Sequence, residues 1–372
     1  KLTLNASNTY TGSTTVSAGT LELGQNERLN DSSDVDVANN SATFNLAGNT
    51  ETIDQLNGTA GSVTLGSGGK LIADGGTFAG NITETGASEL EVNDSGTGNA
   101  LTLGGTGNDF STLDIQSGTA TLTGDLADTT DVTLATASSD FDLSANNETI
   151  DKLDGTAGSV TLGSATLTLG LSTDSSFSGV IKGTGGITLD APTGSESLTL
   201  GGSNTYKGTT TITKGTLISG ADDVLDNDSD LNLSGGANSS FNLAGNTETI
   251  DQLDGVSGSS VTLGSGGKLT AAGGSFAGDI TGTGMSELEV NDGGSGDTLT
   301  LSGTGNNFST LDIQSGTVTL QGDLANATDV NLATASSVFD LAGYNETIDK
   351  LDGTAGSVTL GSGGKLTADG GN

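Results

Sequence analysis

Large aromatic side chains return along this chain at a nearly constant interval, and that interval restricts the fold more than any other feature. Eleven of the twelve aromatic residues form one series: Tyr10, Phe44, Phe78, Phe110, Phe141, Phe177, Tyr206, Phe241, Phe276, Phe308 and Phe339, with gaps between 29 and 36 residues. Only Tyr344 stands outside it. A bulky ring at fixed spacing means that one structural unit has been stacked many times, each copy burying its ring against the next. The pattern excludes a single irregular globular core.

A longer repeat lies over the first. The segment FNLAGNTETIDQLNG from Phe44 returns as FDLSANNETIDKLDG from Phe141, FNLAGNTETIDQLDG from Phe241 and FDLAGYNETIDKLDG from Phe339. These starts are 97, 100 and 98 residues apart, about three aromatic intervals each. Alternate copies agree best: Asn108 to Leu122 and Asn306 to Leu320 match at 13 of 15 positions. The expected organisation is one continuous array, 1–372, in blocks of approximately 1–98, 99–195, 196–295 and 296–372. The opening KLTLNASNTY matches SLTLGGSNTY from Ser197, and the closing KLTADGGN stops inside a repeat. A segment of a longer array is therefore expected.

Short alternating runs such as SVTLG, ELEV and GITLD, rich in Val, Ile, Leu and Thr, are bounded by Gly, Asn, Asp and Ser. They read as half-buried strands with tight turns, and no window holds apolar residues at helical spacing. Each interval between aromatics contains several such strands. A Val/Leu-x-Leu marker follows each ring by 21 to 27 residues, at Leu65, Leu103, Leu134, Leu162, Leu200, Leu233, Leu263, Leu301, Leu332 and Leu360. Two columns in step predict an all-β parallel β-helix (β-solenoid) of about 11 three-sided coils of ~33 residues. At the usual ~4.8 Å strand spacing this gives a rod on the order of 50 Å. The rings are expected inside. Asn8, Asn108, Asn204 and Asn306, each two residues before an aromatic, are expected at corners, bonding neighbouring coils and tolerating left-handed backbone. Glycines in GSGGK and GTGG suit corners that a Cβ would obstruct, and Pro192, the single proline, is placed in a loop.

The net charge is −36, with ten basic residues. Nucleic acid is a poor partner for such a surface, because binding it relies on Lys and Arg neutralising phosphates. No apolar run approaches the ~20 residues of a membrane helix, so no membrane insertion is expected in this segment. The chain has no Cys and no His, which removes disulfides and the usual zinc ligands.

The stretch from Phe177 to Leu217, FSGVIKGTGGITLDAPTGSESLTLGGSNTYKGTTTITKGTL, resembles the passenger-associated repeat of bacterial autotransporters. Asn8 to Leu21, NTYTGSTTVSAGTL, is similar to its second half, and degenerate versions run through the chain. The resemblance implies a right-handed β-helix that is extracellular or displayed on the bacterial outer-membrane surface.

Glu51 with Asp54 forms a carboxylate pair repeated at Glu148/Asp151, Glu248/Asp251 and Glu346/Asp349. Paired acids are the machinery of glycoside hydrolysis, but four copies are the wrong count for one active site, and a solvated acidic ridge is expected instead. Arg28 is the only Arg, and Lys70, Lys152, Lys182, Lys207, Lys214, Lys268, Lys350 and Lys365 are dispersed, so no nucleophile–base pair can be assembled. Catalytic, cofactor-binding and dedicated metal residues are each expected to be none. GGTGND (Gly104–Asp109) opens like a calcium repeat but has Ser111 at its apolar position, SGTGNN (Ser302–Asn307) lacks the Asp, and DGGSGDTL (Asp292–Leu299) is one residue short. Weak calcium binding is expected at most, by Asp-rich turns such as Asp222, Asp223, Asp226 and Asp228.

The expected function is non-enzymatic: a stalk or adhesive shaft of a bacterial surface protein in adhesion, aggregation or biofilm formation. Expected partners are like copies, associating laterally or end to end, and other cell or matrix surfaces. The alternatives are a filament subunit that stacks end to end through open strand edges and, further back, a polysaccharide-processing β-helix enzyme.

Overall fold

The computed structural model describes residues 1–84, 86–94, 96 and 98–372. Among them the secondary structure is strand and turn, with a single 3-10 turn at Gly236–Asn238. Each strand lies parallel to, and in register with, a strand one coil further along, so the chain is a parallel β-solenoid. By packing it divides into two compact units, Lys1–Gly185 and Gly186–Asn372.

In the first unit the strands form three columns. One carries the rungs Thr50↔Lys70↔Glu89↔Thr112↔Asp131 and is called here the charged side. A second carries Thr20↔Thr43↔Ser62↔Asn81, the hydroxyl side. The third carries Leu101↔Ala120↔Phe141↔Val160↔Ile181. The second unit repeats the plan, with a charged side through Thr247↔Lys268↔Glu287↔Thr310↔Asp329. Its hydroxyl side runs through Ser197↔Thr216 and Ser240↔Ser260↔Asp279, and its third side through Leu299↔Val318↔Phe339↔Val358.

Alternation of side chains about each strand builds the core. Leu101, Ala120, Phe141, Val160 and Ile181 are stacked inward and are at most 1% exposed. Each fully buried large apolar side chain contributes about 1.5–3 kcal/mol of transfer free energy.

The coil is shorter than the aromatic interval suggests. Residues in register are 18 to 26 positions apart, as in Gly264↔Gly282, Leu2↔Leu21, Glu89↔Thr112 and Thr83↔Asp109, and the solenoid has about 18 turns, not 11. An interval of about 33 residues in a coil of about 20 places successive rings on different sides. Phe44 stacks between Leu21 and Val63 on the hydroxyl side, whereas Phe78 meets Leu103 on the third. The Val/Leu-x-Leu marker is thus no second column. Leu103 is the next rung above Phe78, and Leu301 the next above Phe276.

Ten rings of the series are buried, and Tyr10 is not, being 43% exposed in the outermost coil of its unit. Its counterpart Tyr206 is fully buried, with its hydroxyl 2.6 Å from Thr210 Oγ1. Three rings need a glycine two residues on. A Cβ on Gly80, Gly179 or Gly278 would come within 2.4–2.7 Å of the Cζ of Phe78, Phe177 or Phe276.

Corners are made differently from the expectation in one respect. Left-handed backbone falls on Ala47, Ser144, Ala244 and Ala342, among others, and not on the four corner asparagines. Each of these N–H groups donates to the side chain two residues earlier (Asn45, Asp142, Asn242, Asp340) at 2.8–3.0 Å. That Asx turn accounts for the recurring F-[N/D]-L-[A/S] string. The corner asparagines do brace neighbouring coils. Asn108 Oδ1 accepts from Ile82 N at 3.0 Å, while its amide donates to Gly105 O and Asp125 O at 2.7 and 3.0 Å. Asn306 repeats the arrangement on Ile280, Gly303 and Asp323. Pro192 lies in an exposed turn between strands.

Candidate functional site

The four ETID motifs are the strongest chemical candidates in the sequence, and their carboxylates point in opposite directions. Glu51, Ile53 and Leu56 face the core, whereas Asp54 is half-exposed on the outer surface. The same holds for Glu148, Glu248 and Glu346, which are between 0 and 5% exposed. A solvated ridge is therefore wrong for the glutamates: strand alternation turns them inward, and the acids of each motif form no pair.

A buried carboxylate must find donors, and here they come from the main chain of the preceding coil. Glu51 accepts from Arg28 N and Leu29 N, both at 2.7 Å. Glu248 accepts from Val224 N at 3.1 Å and Leu225 N at 3.0 Å. The turns that supply these N–H groups contain Glu27 and Asp223 in left-handed backbone, which aims successive N–H groups at one anion, a nest. Burial pushes Glu51 up to about 7 and Glu248 up to about 8, and the two main-chain bonds oppose it in each. Glu51 and Glu248 tie one coil to the next, and their oxygens are occupied.

Four of the dispersed lysines, Lys70, Lys152, Lys268 and Lys350, gather on the charged side, an arrangement with no signal in the linear sequence. Lys70 Nζ lies 2.7 Å from Glu89 and 2.5 Å from Glu91. Lys268 Nζ lies 2.9 Å from Glu287 and 2.6 Å from Glu289. Asp114 joins the first group and Asp312 the second, with carboxylate oxygens of each trio within 4.8 Å of one another. Such trios have the chemistry of a hard-cation site, but a lysine ammonium already bridges two carboxylates in each. Further along, Lys152 meets Asp131 at 3.3 Å and Lys350 meets Asp329 at 3.1 Å. These pairs are half-exposed, so each contributes on the order of 0–1 kcal/mol. Their larger effect is to set charge on one side of the coil.

The calcium-like turns are also engaged. Lys207 Nζ sits 2.7 Å from Asp226 and 2.8 Å from Asp228. Asp222 accepts from Thr247 N at 2.8 Å. Asp292 accepts from Gly294 N and Gly296 N at 2.8 Å. In GGTGND, Asn108 is the intercoil brace described above.

The hydroxyl side contrasts with all of this. In the first unit its outward positions over three successive coils are Thr43, Asn45, Ser62, Thr64, Asn81 and Thr83, with Thr43 and Ser62 hydroxyls 3.2 Å apart. In the second, Ser240 and Ser260 meet at 3.1 Å, with Asn242 and Thr262 alongside. A shallow, open cavity of about 480 Å³ is lined by Asn204, Lys207, Asp226 and Asp228.

The passenger-associated-transport-repeat family matches residues 1–23 and 193–218, a small part of the chain. No curated protein and no solved structure matches. The two matched stretches and the parallel solenoid together support an autotransporter passenger region with repeats. Such repeats imply a secreted or outer-membrane surface protein and suggest a structural domain.

Proposed function

We propose that this chain is a non-enzymatic shaft of a bacterial surface protein, which carries or forms an adhesive surface in cell adhesion, aggregation or biofilm formation. One observation carries the reading: the interior of each unit is filled by stacked side chains, and the glutamates of the ETID motifs are turned into it, with both oxygens of Glu51 and Glu248 taken by main-chain N–H groups. The groups left facing solvent are hydroxyls, amides and acids, a part of them ion-paired, which suit extended contact. A hydrolase or lyase of polysaccharides would need a free acid and a base converging on one cleft, and the ETID acids diverge.

A second reading, lateral association with like copies, is favoured by the separation of charge. Two chains of net charge −36 repel through most of their surface, and the hydroxyl side is where they can approach at least electrostatic cost. Contacts there are weak singly and add by multivalency. An end-to-end filament remains the third.

Electron microscopy of the purified chain over a concentration series at moderate salt separates these. Isolated particles of one length at every concentration support the shaft. Side-by-side rafts that dissolve when Thr64→Asp and Thr262→Asp are introduced support lateral association. Fibres of constant width that lengthen with concentration replace both by the filament. Turnover of an acidic polysaccharide, lost in Glu148→Gln, refutes the structural reading.

A further inference from the structure

Each unit contains two of the buried glutamates, and the two are not served alike. Glu51 and Glu248 each receive two main-chain N–H bonds from a nest. Glu148 receives one from the preceding turn, Leu126 N to Oε1 at 3.2 Å. Its Oε2 is buried and meets no hydrogen-bond partner among the described residues. In the second unit Glu346 repeats this: its Oε2 is likewise buried without a partner, and Oε1 accepts from Thr347 N at 3.1 Å. Both residues are 5% exposed.

An ionised carboxylate with one oxygen facing neither water nor a donor is costly, whereas a carboxylic acid places its proton on that oxygen. We propose that Glu148 and Glu346 sit in the closed solenoid as neutral carboxylic acids and act as pH-operated latches on the turns that precede them, residues 123–130 and 321–328. Protonated, each holds its turn through one main-chain bond from it, given by Leu126 N to Glu148 and by Leu324 N to Glu346. On ionisation the carboxylate seeks water, and the turn is released with it.

The charged groups around each latch work in the same direction. Asp125 and Asp128 on the preceding turn disfavour a charge on Glu148, and the strand packed on its other side, Leu167–Leu169, carries none. Asp323 does the same to Glu346; on the following strand, Lys365 and Asp369 are exposed. Within their own strand segments the nearest charges are Asp151 and Lys152, and Asp349 and Lys350, all on the outer surface. Burial pushes Glu148 up to about 7 from 4.5, and Glu346 in the same direction. For an acid raised on folding, the stabilisation is complete below the unfolded value and is lost as pH rises through the folded one. The Glu148 latch is therefore closed near pH 4.5 and spent above about 7, and the Glu346 latch loosens in the same direction as pH rises.

Hydrogen exchange by mass spectrometry, corrected for intrinsic exchange, tests this on the intact chain from pH 4.5 to 9. Protection of the 123–130 and 321–328 amides should fall by up to about tenfold per pH unit as far as the folded pKa and then level off. Glu148→Gln and Glu346→Gln mimic the neutral acid. They should keep the pH 5 protection and lose its pH dependence. Glu51→Gln should instead lose protection of residues 28 and 29 at every pH, because an amide offers one acceptor to two donors. Protection in the wild type that is flat with pH would overturn the proposal. Should the variants fail to fold, infrared spectroscopy of the wild type at pH 6 decides, against the two carboxyls that Glu51 and Glu248 supply: a protonated-carboxyl band no larger than two groups rules the latch out, and one larger than two groups sustains it.

Discussion

Replacing Gly278 with Ala would test how closely the coils are stacked. A Cβ at Gly278 would lie 2.3 Å from Ser259 O, 2.5 Å from Ser259 Oγ and 2.7 Å from Phe276 Cζ. Ordinary contact begins at 3.4 Å, so the Ser259 carbonyl of the preceding coil has to retreat by about 1 Å, in a stack whose rungs are only about 4.8 Å apart. That carbonyl also accepts Asp279 N at 3.0 Å. Overpacking of this kind costs about 1–3 kcal/mol, and a lost buried main-chain bond about 1–3 more. The expected destabilisation is about 4 kcal/mol, in the range of about 2–6. Gly12→Ala, with nothing within 4 Å of its Cβ, is the control, expected within about 0.5 kcal/mol of wild type. Because repeat arrays need not unfold in one step, urea denaturation should be accompanied by hydrogen exchange over residues 259–263 and 279–283. Adding Phe276→Leu relieves the ring contact but leaves the carbonyl, so it should restore only a fraction of the loss. If Gly278→Ala and Gly12→Ala prove equally stable, the close-stacking argument fails.

Two further substitutions test other parts of the stack. Phe141→Ala empties a fully buried site between Ala120 and Val160 and should cost about 3–5 kcal/mol, with exchange protection lost first in residues 120–122 and 159–161. Asn306→Ala removes the acceptor for Ile280 N and both amide bonds to Gly303 and Asp323. It should cost about 1–3 kcal/mol, read as a lowered urea midpoint with an unchanged slope.

How much of this was legible before any fold existed depends on the range over which each property is decided. That the chain is nearly all strand and turn follows from two-residue alternation punctuated by Gly, Asn and Asp, a pattern written within a few residues. The burial of Phe141 and Phe276 and the bracing role of Asn108 and Asn306 follow from side-chain chemistry at a repeated place. The passenger-type resemblance rested on the same local strings, NTYTGSTT and NTYKGTTT. The coil length did not follow. Aromatic recurrence reports where a large side chain is wanted, and it is wanted about once in one and two-thirds turns. How many residues close a turn is settled by which distant strands pair, as in Leu101↔Gly76 and Leu101↔Ala120. The inward turn of Glu51 and its equivalents was hidden for a related reason. Glu next to Thr in a strand looks exposed until the preceding coil brings Arg28 N and Leu29 N to within 2.7 Å of its oxygens. The charged and hydroxyl sides are the same case on a larger scale, since Lys70 and Glu89 are 19 residues apart in the chain and 2.7 Å apart in space. Composition determined that this protein would be an acidic β-repeat with a polar exterior; only the register of one coil on the next decided which of its acids are buried, which are paired and which side gathers the hydroxyls.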